Sequence, residues 1–460
     1  MSILKAIDTI KLNYMKNLSR LFATLMLLAC VVSLSAGDWL KDGTKKKPYD
    51  LFRTYTSEAI PYRIPAIAKT SSGDLVAVAD YRFCRADIGF GHIDLHARIS
   101  GDNGKTWGDV FTIIAGDGKK VDNNPNLSLT AGYGDPCIVA DRESNRLLLI
   151  CVCGYQTYFA ATREYPNQVA RLYSEDGGKT WSAPEVITEQ FYAPIDNAPM
   201  GPIKSMFIGS GRIHQSRYTK VGDYYRLYAC MLARDKDNNF CNFVVYSDDF
   251  GQNWNILGGV EAAPIPAGGD EPKTEELPDG SLLLSSRCGG GRLYNIFKFT
   301  DADKAEGRWG KHAFSGEKNN GVAALNNSCN GEVLVLPVKR NSDGKDMYIL
   351  LQSLPFGGGR TNVGIYYKEL AVAEDFDTPE NLAKDWDGRY LVTYKASAYS
   401  TMIQQQDGAI AFAYEEDTYG TQGGGYTIAY KSFTIDEITD GKYSLNEKVN
   451  RKKFLKKLSK

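Results

Sequence analysis

After residue 40 the chain is written in short apolar runs, each set off by a glycine, asparagine or aspartate turn. Six times a run of strand length follows such a turn: residues 75–78 after Gly73, 147–153 after Asn145, 224–228 after Gly222, 281–284 after Gly280, 332–336 after Gly331 and 409–413 after Gly408. Tyr, Val, Thr and Ile are common in these runs and suit a pleated, half-buried surface, whereas helical apolar periodicity is scarce. The pattern predicts an all-β chain, and six turn-and-strand units predict six copies of one small sheet.

A second repeat is independent of the first. It reads Ser100-Gly-Asp102-Asn-Gly104-Lys-Thr106-Trp107, then Ser174-Glu-Asp176-Gly-Gly178-Lys-Thr180-Trp181, then Ser247-Asp-Asp249-Phe-Gly251-Gln-Asn253-Trp254, with a worn fourth copy over residues 300–309. Each copy holds the parts of a tight hairpin turn: an Asp to accept backbone N–H bonds, a Gly free to take positive φ, and a Trp to bury beneath. These turns are architectural, since nothing in them can act on a substrate. The copies start 74 and 73 residues apart, longer than the period of helical solenoids and suited to about four strands. The expected fold is a six-bladed β-propeller of four-stranded antiparallel blades.

Composition adds boundaries to this picture. Lys16 and Arg20 precede an apolar run over residues 21–34 that ends in small residues at Ser35 and Ala36, which reads as a secretory signal. The run is short for a membrane span. Residues 1–36 are therefore expected to be an N-terminal extension and signal peptide, residues 37–440 the propeller, and residues 441–460 a basic, solvated C-terminal tail. Export to the periplasm or the cell exterior follows from the signal. Leu27-Leu28-Ala29-Cys30 resembles a bacterial lipid-attachment box and offers anchoring through Cys30 as an alternative.

Cleavage after Ala36 would remove four basic residues and one acid, taking the formal charge from −1 to −4, which argues against bulk nucleic-acid binding. The cysteines have no zinc-like spacing, and Cys230 and Cys241 are candidates to pair across a hairpin. His92, His96, His214 and His312 form no repeated ligand set, so no metal and no cofactor is expected. No partner protein is implied.

Aligned on their turns, the blades carry unusual polar residues in matching slots. Arg63, Glu271 and Tyr399 lie ten, nine and nine residues before their turns, at the start of a blade's first strand; Arg82, Arg287 and Glu415 follow theirs by nine, seven and seven, at the end of the second. Both places open on the same end of a propeller's channel. Ion pairing between blades could explain any one of these residues, but six around one axis suggest a site.

Tyr62-Arg63-Ile64-Pro65 resembles the Phe/Tyr-Arg-Ile-Pro signature of bacterial sialidases (exo-α-neuraminidases), a family that also carries the Asp-box repeats quoted above. The resemblance covers nearly all of residues 55–435. It implies hydrolysis of terminal α-linked sialic acid from sialylated glycoproteins, glycolipids or oligosaccharides, with trans-sialidase transfer or non-catalytic sialoglycan binding as the alternatives. By the same resemblance Arg63, Arg287 and Arg360 clamp the substrate carboxylate, and Arg82 lines the site. Asp87, in Arg85-Ala86-Asp87-Ile88-Gly89, becomes the acid/base, ahead of Asp80 and Asp94, whose apolar neighbours place them in strands. Tyr399 becomes the nucleophile, Glu271 its partner, Glu415 the acid that orients Arg63, and Glu276 a structural residue. The segment Gly209-Ser-Gly211-Arg-Ile213 resembles a glycine-rich site loop.

The chemistry explains why such residues belong together. Planar guanidinium groups offer paired donors to the sugar's carboxylate. That carboxylate would repel an attacking Asp or Glu, so a neutral phenol is the suitable nucleophile, an exception recognised among glycosidases.

Overall fold

The computed structural model describes residues 40–458, apart from 56, 58, 59, 122, 123, 262, 263, 265–267 and 418–424. The expected signal peptide, residues 1–36, and Cys30 lie outside the described residues. The chain divides into two units, 1–41 and 42–460, and the second is the propeller.

Six sheets of four to six strands make six blades, antiparallel except where Gly211–Arg212 joins blade 2. Their inner strands are Tyr62–Lys69, Tyr133–Ala140, His214–Val221, Pro272–Glu276, Val333–Arg340 and Ser397–Gln404. Blade 6 takes its outermost strand, Tyr49–Phe52, from the beginning of the chain, where it pairs with Tyr426–Phe433. This contact ties the two ends of the propeller chain together and leaves fewer open sheet edges.

Five of the six expected turns join a blade's first strand to its second. The fifth does not: Gly331 precedes the inner strand Val333–Arg340 itself, and the turn to the second strand, Asp346–Gly357, lies at Gly344 with φ +71°. An apolar run after a glycine looks the same in either position, so the blade count was legible and the strand assignment was not. The three Asp-box turns join third strands to fourth. In the first, Asp102 accepts bonds from Ser100 Oγ and Thr106 N, both at 2.8 Å, and Gly104 takes φ +80°. A bond from the Thr106 hydroxyl, then that from Thr106 N and more weakly that from Ser100, hold the Asp102 carboxyl down at about 2.

The core lies between blades. Ala66, Val76 and Val78 of blade 1 pack with Ile138, Leu147 and Leu149 of blade 2, and similar clusters join blades 2 and 3, 3 and 4, and 6 and 1. Burying one such aliphatic side chain contributes roughly 1.5–3 kcal/mol, so neighbouring blades stabilise one another.

Two sequence expectations need correction. The strand register sets Cys241 opposite Ala233 and Cys230 opposite Val244, and all eight described cysteines are free. The basic C-terminus is not wholly solvated. Residues Arg451–Leu458 form a helix whose Phe454 is buried against Tyr348, while Arg451 lies 3.8 Å from the Tyr218 ring centroid. Three apolar residues, Phe454, Leu455 and Leu458, set among basic ones gave little sign of this docking.

Candidate active site

The six inner strands line a central channel with a cavity at each mouth. The upper cavity, at the end where these strands begin, has a volume of about 450 Å³ and is lined by Arg63, Arg287, Arg360, Asp87, Glu271 and Tyr399, among others. Local backbone irregularities help aim these groups. Strand pairing shifts register between Arg63 and Ala66, where Ile64 takes φ +55°, and again between Ser397 and Ser400. Such bulges re-aim side chains at the ends of strands. Arg360, with φ +61°, occupies the turn between the second and third strands of blade 5.

Glu415 organises the first arginine. Fully buried, it accepts from Arg63 Nε at 2.7 Å and Ile64 N at 2.8 Å through Oε1, and from Arg63 Nη2 at 3.3 Å and Tyr399 N at 3.1 Å through Oε2. One carboxylate from blade 6 thus fixes Arg63 of blade 1 and the backbone of Tyr399 together. Arg287 donates to Glu271 Oε2 at 2.9 Å and to Tyr399 Oη at 3.0 Å, and its Nε reaches Ser328 Oγ at 2.9 Å. Arg360 has no ion-pair partner among the described residues; its guanidinium carbon lies 5.8 Å from the Tyr399 ring centroid. These bonds leave Arg63 Nη1, Arg287 Nη2 and the Arg360 guanidinium without hydrogen-bond partners among the described residues.

Tyr399 Oη donates to Glu271 Oε1 at 2.5 Å. Burial, and secondly the Glu271 charge, push the phenol well above its ordinary pKa, against the opposing pull of Arg287. The resting group is therefore a neutral phenol already bonded to a base.

Asp87 stands at the mouth in contact with Arg82 Nη1. Loss of surrounding water would raise its pKa, but Arg82, with Arg63 and Arg360 further off, outweighs this and holds the carboxyl below its ordinary value. Arg82 itself is buried and does not line the main cavity. Its Nε and Nη2 bond Asp80 at 3.1 and 2.8 Å, and Asp135 lies 3.5 Å away. Asp80 and Asp94 are both strand residues with several donors, Asp94 serving His92 at 2.8 Å and Gly116 N at 2.9 Å.

The glycine-rich segment at residues 209–213 does not reach this cavity. Gly211–Arg212 runs parallel to Cys137–Ile138, and Arg212 turns toward the opposite mouth to bond Glu275 at 3.0 Å. Glu276 lies there too, accepting from Arg217 N at 2.6 Å.

Sequence reasoning missed Asp135, Asp270 and an aromatic wall of Phe90, Tyr158, Phe159, Phe207 and Phe240. Asp135 could have been found by the slot rule, because it lies ten residues before Asn145 as Arg63 lies ten before Gly73. Asp270, 3.1 Å from Arg287 Nε, also precedes an inner strand. The aromatic residues come from four separate loops or strands and carry no shared spacing.

Comparisons with known proteins give the family and the fold. Residues 89–412 match the BNR repeat-like domain family. A sialidase of Micromonospora viridifaciens is 32% identical over 234 residues, covering 49% of this chain and 32% of that protein. A sialidase of Bacteroides fragilis is 26% identical over 334 residues, covering 68% and 53%. The chain thus spans about a third to a half of the length of these curated relatives. In fold it resembles the intramolecular trans-sialidase of Ruminococcus gnavus, with a TM-score of 0.65 at 19% identity, covering 85% of this chain and 98% of that one. The chain belongs to the BNR-repeat family of β-propellers, among relatives that are sialidases.

Proposed function

We propose that the protein is a retaining exo-α-sialidase acting on sialylated glycans. The observation that carries this reading is the Tyr399–Glu271 bond of 2.5 Å, held beside three arginines in one cavity. Arg63, Arg287 and Arg360 receive the substrate carboxylate through their unengaged donors, each charge-assisted bond contributing roughly 1.5–3 kcal/mol. Tyr399 attacks the anomeric carbon as Glu271 takes its proton, and the phenolic C–O bond forms as the glycosidic bond breaks.

Asp87 protonates the departing oxygen. Its contact with Arg82 must loosen first, and the entering carboxylate brings this about electrostatically. A negative charge arriving near Asp87 raises its pKa, as does the water that the sugar displaces. In the second half of the reaction Asp87 takes a proton from water, which attacks the glycosyl-tyrosine intermediate and returns Tyr399 to its neutral form.

The test is the configuration of the first-released sugar by proton NMR. The α anomer is expected, and first release of β would exclude double displacement. Absence of any release from 4-methylumbelliferyl sialic acid would instead favour a non-catalytic sialoglycan-binding propeller. A second reading, transfer to a sugar hydroxyl, is favoured by two exposed rings at the cavity, Phe159 and Phe90, which are 72% and 57% exposed. They offer a stacking surface to an acceptor. A new sialoside appearing with lactose added would assign transfer.

The apolar run over residues 21–34 motivates the proposal that the protein is exported. Mass spectrometry of the purified N-terminus would reveal cleavage after Ala36, lipid on Cys30 or an uncleaved chain, and the last would exclude processing at either site.

A further inference from the structure

The lower mouth of the channel holds a second cavity, of about 420 Å³. All six blades line it, at the ends of the inner strands opposite to those that form the upper site. Its walls are mixed: Ile67, Ile138, Ile213 and Leu334 are apolar, while Lys69, Arg142, Arg212 and Arg217 face one lining acid, Glu275.

The deeper arginines are engaged by the protein. Arg212 Nη2 bonds Glu275 at 3.0 Å and the Val333 carbonyl at 2.9 Å; Arg217 bonds Glu275 Oε1 at 2.5 Å and the Val335 carbonyl at 2.6 Å. Glu276 and Glu332 add negative charge behind them. The outer cations differ. Arg142 is steered by Gln215, with Nε at 3.3 Å from Oε1 and Nη2 at 2.9 Å from the main-chain oxygen, and has no carboxylate within ion-pair distance among the described residues. The Lys69 ammonium has neither a hydrogen bond nor an ion pair among the described residues. The nearby acid Asp141 is occupied by Gln215 Nε2 at 2.8 Å and Ser144 Oγ at 2.7 Å, and Glu447 by Gln404 Nε2 at 2.7 Å.

We infer that the lower mouth is an anion-binding site, separate from the upper cavity, which takes a small oxyanion of the phosphate or carboxylate class between Lys69 and Arg142. The two cations share one concave mouth without an anion to bridge them, and apolar walls weaken the screening of any charge placed there. Burial is the chief cause that lowers the pKa of both; next comes an acid that raises it, Glu447 for Lys69 and Glu276 for Arg142, and behind each acid a like charge that lowers it, Arg142 and Arg217 respectively. An oxyanion seated there would accept charge-assisted bonds from both sides.

Calorimetric titration of the full chain with inorganic phosphate, and separately with acetate, at ionic strength fixed by chloride, tests the inference. One saturable site per chain is expected for at least one probe, and the tighter probe identifies the ligand class. The double variant Lys69→Gln/Arg142→Gln should weaken binding by about tenfold or more, with Lys69→Gln alone causing a smaller loss in case the pair folds poorly. Arg360→Gln, in the upper cavity, should leave the affinity within about twofold. The inference is overturned if neither probe binds, if binding survives both lower-mouth variants unchanged, or if Arg360→Gln abolishes it, which would place the anion in the upper cavity. None of these results depends on catalytic activity.

Discussion

The two mouths of the channel are built from the same six strands and are both rich in arginine and glutamate. At the lower mouth, Arg212 and Arg217 both give Nη donors to the Glu275 carboxylate and to backbone carbonyls, while their buried Nε atoms have no hydrogen-bond partner among the described residues. At the upper mouth, Arg63 is held by Glu415 and Arg287 by Glu271 and Asp270, each with an Nη left over, and Arg360 is held by no acid among the described residues. The difference teaches that counting charges does not locate a ligand clamp. What matters is whether partners fix a guanidinium while leaving donors pointed at a cavity. The upper mouth alone adds a phenol bonded to a carboxylate. Lower-mouth acids should therefore support folding, and upper-mouth groups chemistry.

The largest expected effect breaks the upper mouth. Tyr399→Phe should lower kcat by about a thousandfold or more, roughly 4 kcal/mol, while the protein stays folded and still binds sialic acid. Kinetics and a binding titration on the same preparation check it, and activity within about tenfold of wild type would end the nucleophile assignment. Asp87→Asn should follow, with a loss of about 10²–10⁴ in kcat for a sugar leaving group. For a 4-methylumbelliferyl leaving group, which departs with little protonation, the loss should be much smaller. Equal losses on both substrates would remove Asp87 as the acid.

The lower mouth supplies the contrasting prediction. Glu276→Gln leaves His214 and Arg217 beside a neutral amide, and breaking a buried pair typically costs about 3–5 kcal/mol. Activity per folded molecule should be unchanged. Burial would raise the Glu276 pKa, but His214, Arg217 and Ser216 hold the carboxyl at about 2 in the folded chain. Its contribution is thus fully present above the ordinary glutamate range and disappears as the pH falls through about 2. Denaturant melts of wild type and variant should diverge most near neutrality and converge in acid. A constant difference would show that lost packing, not charge, is responsible.

The fold was readable because each blade repeats one physical problem, an apolar strand pair closed by a turn, and repeats survive sequence drift. The site was readable where a residue occupied a slot shared between blades, as Arg63, Glu271, Arg287 and Glu415 do. Arg360 stands outside that rule, on a turn after three glycines, and only family resemblance pointed to it. Gly344, the true first turn of blade 5, was hidden because the run after Gly331 satisfies the same pattern one strand too early. The approach of Asp135 to Arg82 was not readable either, since residues 82 and 135 meet only where blades 1 and 2 adjoin, whereas Asp80 reaches Arg82 from two residues away in blade 1.

Arg360 is the sharpest place to divide the two mouths, although its effect should be smaller. It is half-buried, has no carboxylate partner among the described residues and lies with its guanidinium carbon 5.8 Å from the Tyr399 ring centroid. Replacing it with glutamine removes no internal ion pair, so stability should change by less than about 0.5 kcal/mol. A substrate carboxylate would lose one or two charge-assisted bonds, together worth about 1.5–3 kcal/mol, and kcat/KM should fall by about ten- to a hundredfold. The loss should appear in the binding of free sialic acid as well, because the carboxylate is present before and after the reaction. Arg217→Gln should do the reverse, destabilising the fold while sparing kcat/KM. If Arg360→Gln unfolded the protein and left the activity of its folded fraction intact, the clamp would have been mistaken for scaffold. The distinction between engaged and available guanidinium groups would then fail at its clearest case.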